Sequence, residues 1–329
     1  MSKFSALQAR ESAAGGFEQV IVQRDIDDLP AGELLIRVKY SSLNYKDALS
    51  ASGNRGVTKS FPHTPGIDAA GVVEVSSVAE FSAGDEVIVT GYDLGMNTSG
   101  GLAQYIRIPA SWALKRPKGL SLREAMVLGT AGLTAALCVD KLEQSGLTPD
   151  AGTVLVTGAT GGVGSVAVAL LTTLGYRVAA STGKAEQADY LKALGAQQIV
   201  LRAELQDGTD KPMLKEQWAG AVDCVGGDIL FNVVKSLHYG ASVACCGLTA
   251  GVGFKGSVLP FILRGVNLLG VDSVELPLVV KASMWDKLSL QWKVKLDALV
   301  TEVTLEQLPD AIVQILAGKQ VGRVLVNLG

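Results

Sequence analysis

The residues whose types and spacing most clearly imply chemistry are glycines set between an apolar run and a helix start. Val154-Leu155-Val156-Thr157-Gly158-Ala159-Thr160-Gly161-Gly162-Val163-Gly164 reads as a buried strand, a tight turn and a first helical turn. A dinucleotide pyrophosphate needs close backbone approach, hence glycine, together with the unsatisfied N–H groups and positive dipole end of the following helix. Gly161, Gly162 and Gly164 fit those roles, with Thr160 and Val163 beside them. The strict G-x-G-x-x-G pattern is broken, because Ala159 takes the first glycine position. As an isolated string this is only a glycine-rich strand-to-helix turn; the alternating strands and helices around it favour a cofactor.

The identity of that cofactor rests on the next strand end. About 20 residues after the motif, an NAD site presents Asp or Glu to the ribose 2′-OH, whereas an NADP site offers a basic residue and no acid. Here the strand ends in Ala180-Ser181-Thr182-Gly183-Lys184, without a carboxylate. Ser181 and Thr182 can donate hydrogen bonds, Lys184 beyond Gly183 brings charge, and Arg202, just beyond the third strand, can close on the same phosphate, so Gly183 is counted with them as a cofactor-binding residue. NADPH is favoured. The alternative for Lys184 is a solvated lysine, but a cation beside a helix start is unfavourable unless an anion joins it.

These residues need a scaffold. From residue 153 the pattern alternates strand and helix: 153–157, 163–174, 177–180, 185–194, 198–201, then strands at 221–225 and 242–246. Such alternation builds a parallel sheet with right-handed crossovers, an α/β doubly wound unit. Gly175 and Gly195 each follow a helical run, where a left-handed residue ends a helix. The first 110 or so residues differ, with short β-like segments at 33–40, 69–75, 86–90 and 103–108 and a loop-rich face at 41–65. Ser121 to Glu124 has the spacing of an N-cap with an acid three residues on. Near the end, 305–316 reads as an amphipathic helix and 323–328 as a strand that returns to the first domain.

Composition narrows the partners. At roughly 150 residues per domain, 329 residues predict two domains. Hydrophobic residues at 48% and charged residues at 19% exclude a disordered chain. A net charge of −3 without a dense basic run argues against nucleic acid and anionic lipid, leaving a small-molecule substrate. The uncharged stretch 152–176 is long enough to imitate a membrane helix, but its glycines divide it into strand, turn and helix. Cys138, Cys224, Cys245 and Cys246 form neither a disulfide framework nor a zinc knuckle, which fits a reducing, cytoplasmic setting.

Ser42-Leu43-Asn44-Tyr45-Lys46-Asp47, Pro65-Gly66-Ile67-Asp68-Ala69-Ala70-Gly71, Gly84-Asp85-Glu86-Val87, Gly129-Thr130-Ala131-Gly132-Leu133-Thr134-Ala135 and the glycine turn together resemble the medium-chain dehydrogenase/reductase superfamily, nearly end to end. The likeness is to its zinc-free quinone oxidoreductase branch and the YhdH subgroup, described as acrylyl-CoA reductases or quinone oxidoreductases. The resemblance implies a GroES-like, mostly β catalytic domain from residues 1–121 and 297–329, an inserted Rossmann domain at 122–296, and a homodimer. Zinc-dependent relatives take a Cys, a His beside a Glu, and a second Cys. Asn44 and Ile67-Asp68 stand in the places of the first Cys and of the His-Glu pair. His63 is expected in a loop and His238 at a helix end, neither catalytic.

The implied activity is NADPH-dependent reduction of an activated C=C bond without metal, with acrylyl-CoA to propionyl-CoA as the leading reaction. Such a reaction needs donors for a developing enolate and a proton source. The resemblance points to the loop holding Asn44, Tyr45 and Lys46: Tyr45 for nicotinamide contact or proton donation, Asn44 for the carbonyl, and Asp68 to orient either. Loop capping and packing are the alternatives for Asn44 and Tyr45, and a turn cap for Asp68. Further cofactor contacts are carried over to Leu248, Ile262, Ser273 and Arg323, against core packing, a helix cap and a surface cation as ordinary roles. Arg55, Lys59 and Arg264 are candidates for CoA phosphates. A quinone oxidoreductase and a non-catalytic NADPH-binding redox sensor remain as other readings.

Overall fold

The computed structural model describes residues 3–329, which divide into two compact units: residues 3–130, 274–289 and 299–329, and residues 131–273 and 290–298. The first unit opens with an antiparallel hairpin, β1 (Lys3–Glu11) and β2 (Phe17–Asp25). It continues through β3 (Leu34–Leu43), α1 (Tyr45–Ala51), β4 (Asp68–Ser76), β5 (Glu86–Thr90), β6 (Tyr105–Ile108) and β7 (Ala113–Lys115). α2 (Leu122–Gln144) leaves helical geometry at Gly129, φ 53° and ψ −156°. It is the one helix, among the described residues, long and apolar enough to span a membrane, and it is buried.

The second unit is built from β8 (Thr153–Val156), α3 (Gly162–Thr173), β9 (Arg177–Thr182), α4 (Ala188–Ala193), β10 (Gln198–Leu201), β11 (Trp218–Asp223), α5 (Gly227–Lys235), β12 (Leu237–Cys245), α6 (Leu259–Arg264) and β13 (Asn267–Gly270). Its six strands are parallel in the order β10-β9-β8-β11-β12-β13, a doubly wound sheet whose direction reverses beside β8. Crossovers alternate faces on either side of that point, leaving a crevice at the carboxyl ends of β8 and β11. Its core of Leu155, Ala221, Val233, Val243 and neighbours is fully buried.

The chain then supplies α7 (Leu278–Ser289), β14 (Val300–Val303), α8 (Leu308–Leu316) and β15 (Arg323–Asn327). β14 and β15 complete a seven-stranded sheet, β14-β15-β3-β4-β5-β7 with β6 also on β3, so the C-terminus does return to the first unit.

Two details depart from the sequence reading. Residues 122–130 and 274–289, assigned there to the second domain, pack with the first: Val127 O accepts from Arg323 Nε at 3.0 Å, and Lys281 Nζ donates to Thr90 O at 2.7 Å. His238 lies on β12, not at a helix end. The cap at Ser121 forms as its spacing requires, with Glu124 N donating to Ser121 Oγ and Ser121 N to Glu124 Oε2.

Candidate active site

In the second unit, Gly158 leaves β8 at φ 59°, a left-handed turn that glycine accommodates without strain. The Gly161 amide returns to Gly158 O at 2.9 Å. A Cβ on Gly164 would lie 2.3 Å from Gly158 O and 2.7 Å from Ala159 Cα, so the missing side chain lets α3 seat on the turn. Gly162, Val163 and Gly164 are the first residues of α3, with Gly161 as N-cap and no acid in the first turn. The free N–H groups of that turn therefore meet no carboxylate of their own helix.

The end of β9 is drawn against this turn. Ala159 N donates to Ser181 O at 3.0 Å, and the Thr160 and Thr182 hydroxyls lie 3.3 Å apart. Lys184 N donates to Thr182 Oγ1. Arg202 packs across Gly183, where a Cβ would meet its Nη2 at 2.2 Å. Burial holds the Lys184 ammonium below its ordinary range; Glu186 opposes this and the Arg202 charge adds to it. Two mutually unfavourable cations beside two hydroxyls form a donor set suited to a phosphate dianion. Glycine turn, helix start and cationic strand end together fit a phosphorylated dinucleotide.

Sequence reasoning missed Asp223 at the end of β11. Buried, its carboxyl is pushed up by desolvation, and it accepts from Thr157 Oγ1 at 2.7 Å and Gly226 N at 2.7 Å. It thereby ties the ends of β8 and β11 together beside the turn. Leu248 and Ile262 are 55% and 69% exposed, so core packing does not account for them. Ser273 is buried and accepts from Thr134 Oγ1 at 2.8 Å, with no helix starting there to cap. Arg264 is committed to Lys235 O, Leu214 O and Glu216, which removes it from the candidates for a CoA phosphate.

In the first unit, a buried polar cluster gathers around Asp68. Its carboxylate accepts from Ser42 Oγ (2.6 Å), Asn44 Nδ2 (2.8 Å), Thr130 N (2.9 Å to Oδ2) and Thr130 Oγ1 (2.5 Å to Oδ1). Asn44 is the N-cap of α1, and Asp47 accepts from Asn44 N at 2.8 Å, from its Nδ2 at 3.2 Å and from Ile67 N at 2.8 Å. Burial and the neighbouring Asp68 push the Asp47 carboxyl up to about 7. A Cβ on Gly129 would lie 2.5 Å from both Asp68 Oδ2 and Ser42 Oγ, so the break in α2 brings its backbone onto the cluster.

Arg323 closes the cluster. It is buried, with Nη1 donating to Asn44 Oδ1 at 3.2 Å and Nε to Val127 O. A surface cation it is not; burial lowers its pKa against the opposing pull of Asp68 and Asp47. The Asn44 amide is thus engaged at both ends, and Asp68 does more than cap a turn. Tyr45, first residue of α1, stays 39% exposed, and Lys46 is half-buried beside it. His63 is buried on Gly95 O at 2.9 Å. Arg55 is held by Glu11 and Lys59 O.

Asp47, Ser42 and Thr130 went unrecognised from sequence, although the Asn-x-x-Asp spacing at a helix start was the available signal. This cluster does not suit a zinc ion: its carboxylate is saturated by donors, its amide points inward, and a guanidinium already supplies the positive charge. Among the described residues no three His, Cys, Asp or Glu side chains group as a metal site.

Comparison with known proteins agrees with this architecture. Residues 30–118 match the family "Alcohol dehydrogenase GroES-like domain" and residues 162–289 the family "Zinc-binding dehydrogenase". "Putative quinone oxidoreductase YhfP" of Bacillus subtilis is 49% identical over 99% of both chains, and its crystal structure with NAD bound superposes with a TM-score of 0.96 at 48% identity over 100% of each chain. "Acrylyl-CoA reductase AcuI" of Ruegeria pomeroyi is 46% identical over 99% of both chains. The yhdH oxidoreductase of Salmonella enterica in complex with NADP has a TM-score of 0.96 at 43% identity, covering 99% of this chain and 100% of that one. The chain belongs to the medium-chain dehydrogenase/reductase family of oxidoreductases, among relatives named as quinone oxidoreductases and acrylyl-CoA reductases.

Proposed function

We propose that this protein reduces an activated C=C bond with NADPH, and that its substrate is acrylyl-CoA, converted to propionyl-CoA. The observation that carries the cofactor choice is the end of β9, where Ser181, Thr182, Lys184 and Arg202 gather without a carboxylate on the strand end. The likeness to AcuI and to the NADP-bound yhdH protein supports it. When bound, the reduced nicotinamide supplies the hydride for the β-carbon of the thioester.

The chain's own residues divide the remaining work. The α3 N–H groups and Thr160 hold the pyrophosphate, and Lys184 with Arg202 holds the 2′-phosphate. Leu248, Ile262 and Ser273 are assigned to the nicotinamide end. The Tyr45 phenol, exposed at the start of α1, donates a hydrogen bond to the thioester oxygen or the proton for the α-carbon. Asn44 and Asp68 act by holding that helix start, since the Asn44 amide is already engaged. The same proposal places the protein in the cytoplasm, supported by four free thiols, and as a homodimer, which the family resemblance implies.

The test is turnover of acrylyl-CoA and of benzoquinone with NADPH and with NADH. Acrylyl-CoA-dependent NADPH oxidation is the expected result. Quinone turnover without thioester reduction would move the assignment to the activity named for YhfP, whose structure holds NAD. Binding without oxidation of any substrate would leave a redox-sensing protein.

A further inference from the structure

Two cysteines of the second unit sit just past the carboxyl ends of β11, the neighbour of β8, and of β12, the next strand out. β11 and β12 pair in parallel with Asp223 opposite Cys245, which brings Cys224 and Cys246, one residue further on, side by side. Their sulfurs are 3.9 Å apart. Adjacent strands run about 4.8 Å apart, inside the Cα separation that a disulfide bridges. Both residues are partly exposed, whereas Cys138 is fully buried.

We propose that Cys224 and Cys246 form a reversible disulfide when a hydroperoxide reaches them, and that this bond disturbs the glycine turn at the start of α3. The position of Cys224 makes the link: its Cβ lies 3.4 Å from the point where a Cβ on Gly158 would project, and the backbone of Gly247 is pressed against Cys224 O. Drawing the sulfurs from 3.9 Å to about 2.05 Å displaces side chains that pack against the first residue of the turn. Either sulfur can attack first and the same bond results, because the two lie side by side; Cys246 serves as the attacking one in the balanced sequence.

The Cys246 thiolate attacks one peroxide oxygen and breaks the O–O bond, giving a sulfenic acid and hydroxide. Cys224 sulfur then attacks the sulfenic sulfur; the S–O bond breaks and the oxygen leaves as water, taking the Cys224 proton. Two thiols lose two electrons and two protons, and hydrogen peroxide becomes two waters once hydroxide takes up the proton first lost by Cys246. A dithiol reverses the bond by exchange.

The full chain would be treated with hydrogen peroxide, alkylated and mapped by mass spectrometry, with amide hydrogen exchange of residues 158–164 followed in parallel. A Cys224–Cys246 cross-linked peptide, about 2 Da lighter than its reduced parts, is expected. Faster exchange in the turn should accompany it, both reversed by dithiothreitol and both absent in Cys224→Ser. No cross-link, a cross-link through Cys138 or Cys245, or unchanged exchange would overturn the proposal. Weaker NADPH binding, by about tenfold, is the consequence that rests on the proposed function. Mass and exchange are read without cofactor, so failure of reduced protein to bind NADPH would count against that function alone.

Discussion

Arg323 donates from Nη1 to Asn44 Oδ1 at 3.2 Å, joining a residue of the last strand to the cap of the first helix, 279 positions away in sequence. Its Nη2 is buried without a hydrogen-bond partner, while Asp68 and Asp47 supply the opposing charge. The C-terminal strand therefore contributes the electrostatic partner that allows two carboxylates to be buried in one cluster.

Asp68→Asn should be strongly destabilising, because it leaves the Arg323 guanidinium buried beside a weaker partner. A loss of about 3–5 kcal/mol is expected in urea unfolding. Arg323→Met should also destabilise, and the double variant should lose less than the sum of the two, with coupling of about 0.5–3 kcal/mol. Strict additivity would show that the two groups do not interact.

The raised Asp47 pKa implies a defined pH dependence. Its ordinary value is 3.8 and its folded value about 7, so between these the folded protein binds more protons than the unfolded chain. Stability contributed by this group is full below pH 3.8 and declines as pH rises toward 7, then levels off. His63, whose pKa burial lowers, acts in the opposite sense at the upper part of that window. The comparison that isolates Asp47 is the change in urea midpoint between pH 5 and pH 8 in the parent and in Asp47→Asn. The parent should lose more stability over that interval; equal changes would reject the assignment.

What the sequence made legible follows periodicity and punctuation. Alternating strands and helices after residue 153, and the glycines at 158–164, are local signals, and β8, α3 and β9 lie within two residues of where those signals put them. The destination of α7 is not local. Nothing in its apolar pattern tells that Lys281 will be buried, donating to Thr90 O and Val274 O with its ammonium 3.5 Å from the Tyr92 ring centre. Hydropathy also misplaces Arg323, a cation inside the protein, and Leu248 and Ile262, apolar residues outside it. For Lys281 and Arg323 the deciding partners, Thr90 and Asn44, are far away along the chain.

The two glycines of the turn should behave differently. Gly161 has a φ of −80°, and a Cβ there would approach only Gly158 O, at 3.2 Å. Gly164 would place its Cβ against backbone that cannot move aside. Gly164→Ala is expected to lower stability by about 1–3 kcal/mol, and Gly161→Ala by well under that, as measured by thermal unfolding without cofactor. Equal losses would mean that α3 is not seated on the turn as described.

The cationic strand end makes the most direct prediction about cofactor choice. Lys184 carries an ammonium depressed by burial and by Arg202, and a bound phosphate dianion would relieve both effects. Removing one charge-assisted contact is worth about 1.5–3 kcal/mol, which corresponds to roughly 10- to 150-fold in affinity. Lys184→Ala and Arg202→Ala should each weaken NADPH by that order while leaving NADH binding nearly unchanged, because NADH lacks the phosphate that these groups address. Fluorescence titration of both nucleotides against each variant reads the ratio directly. A parallel loss for NADH would show that the side chains shape the adenosine pocket, and an unchanged NADPH affinity would show that the 2′-phosphate lies elsewhere.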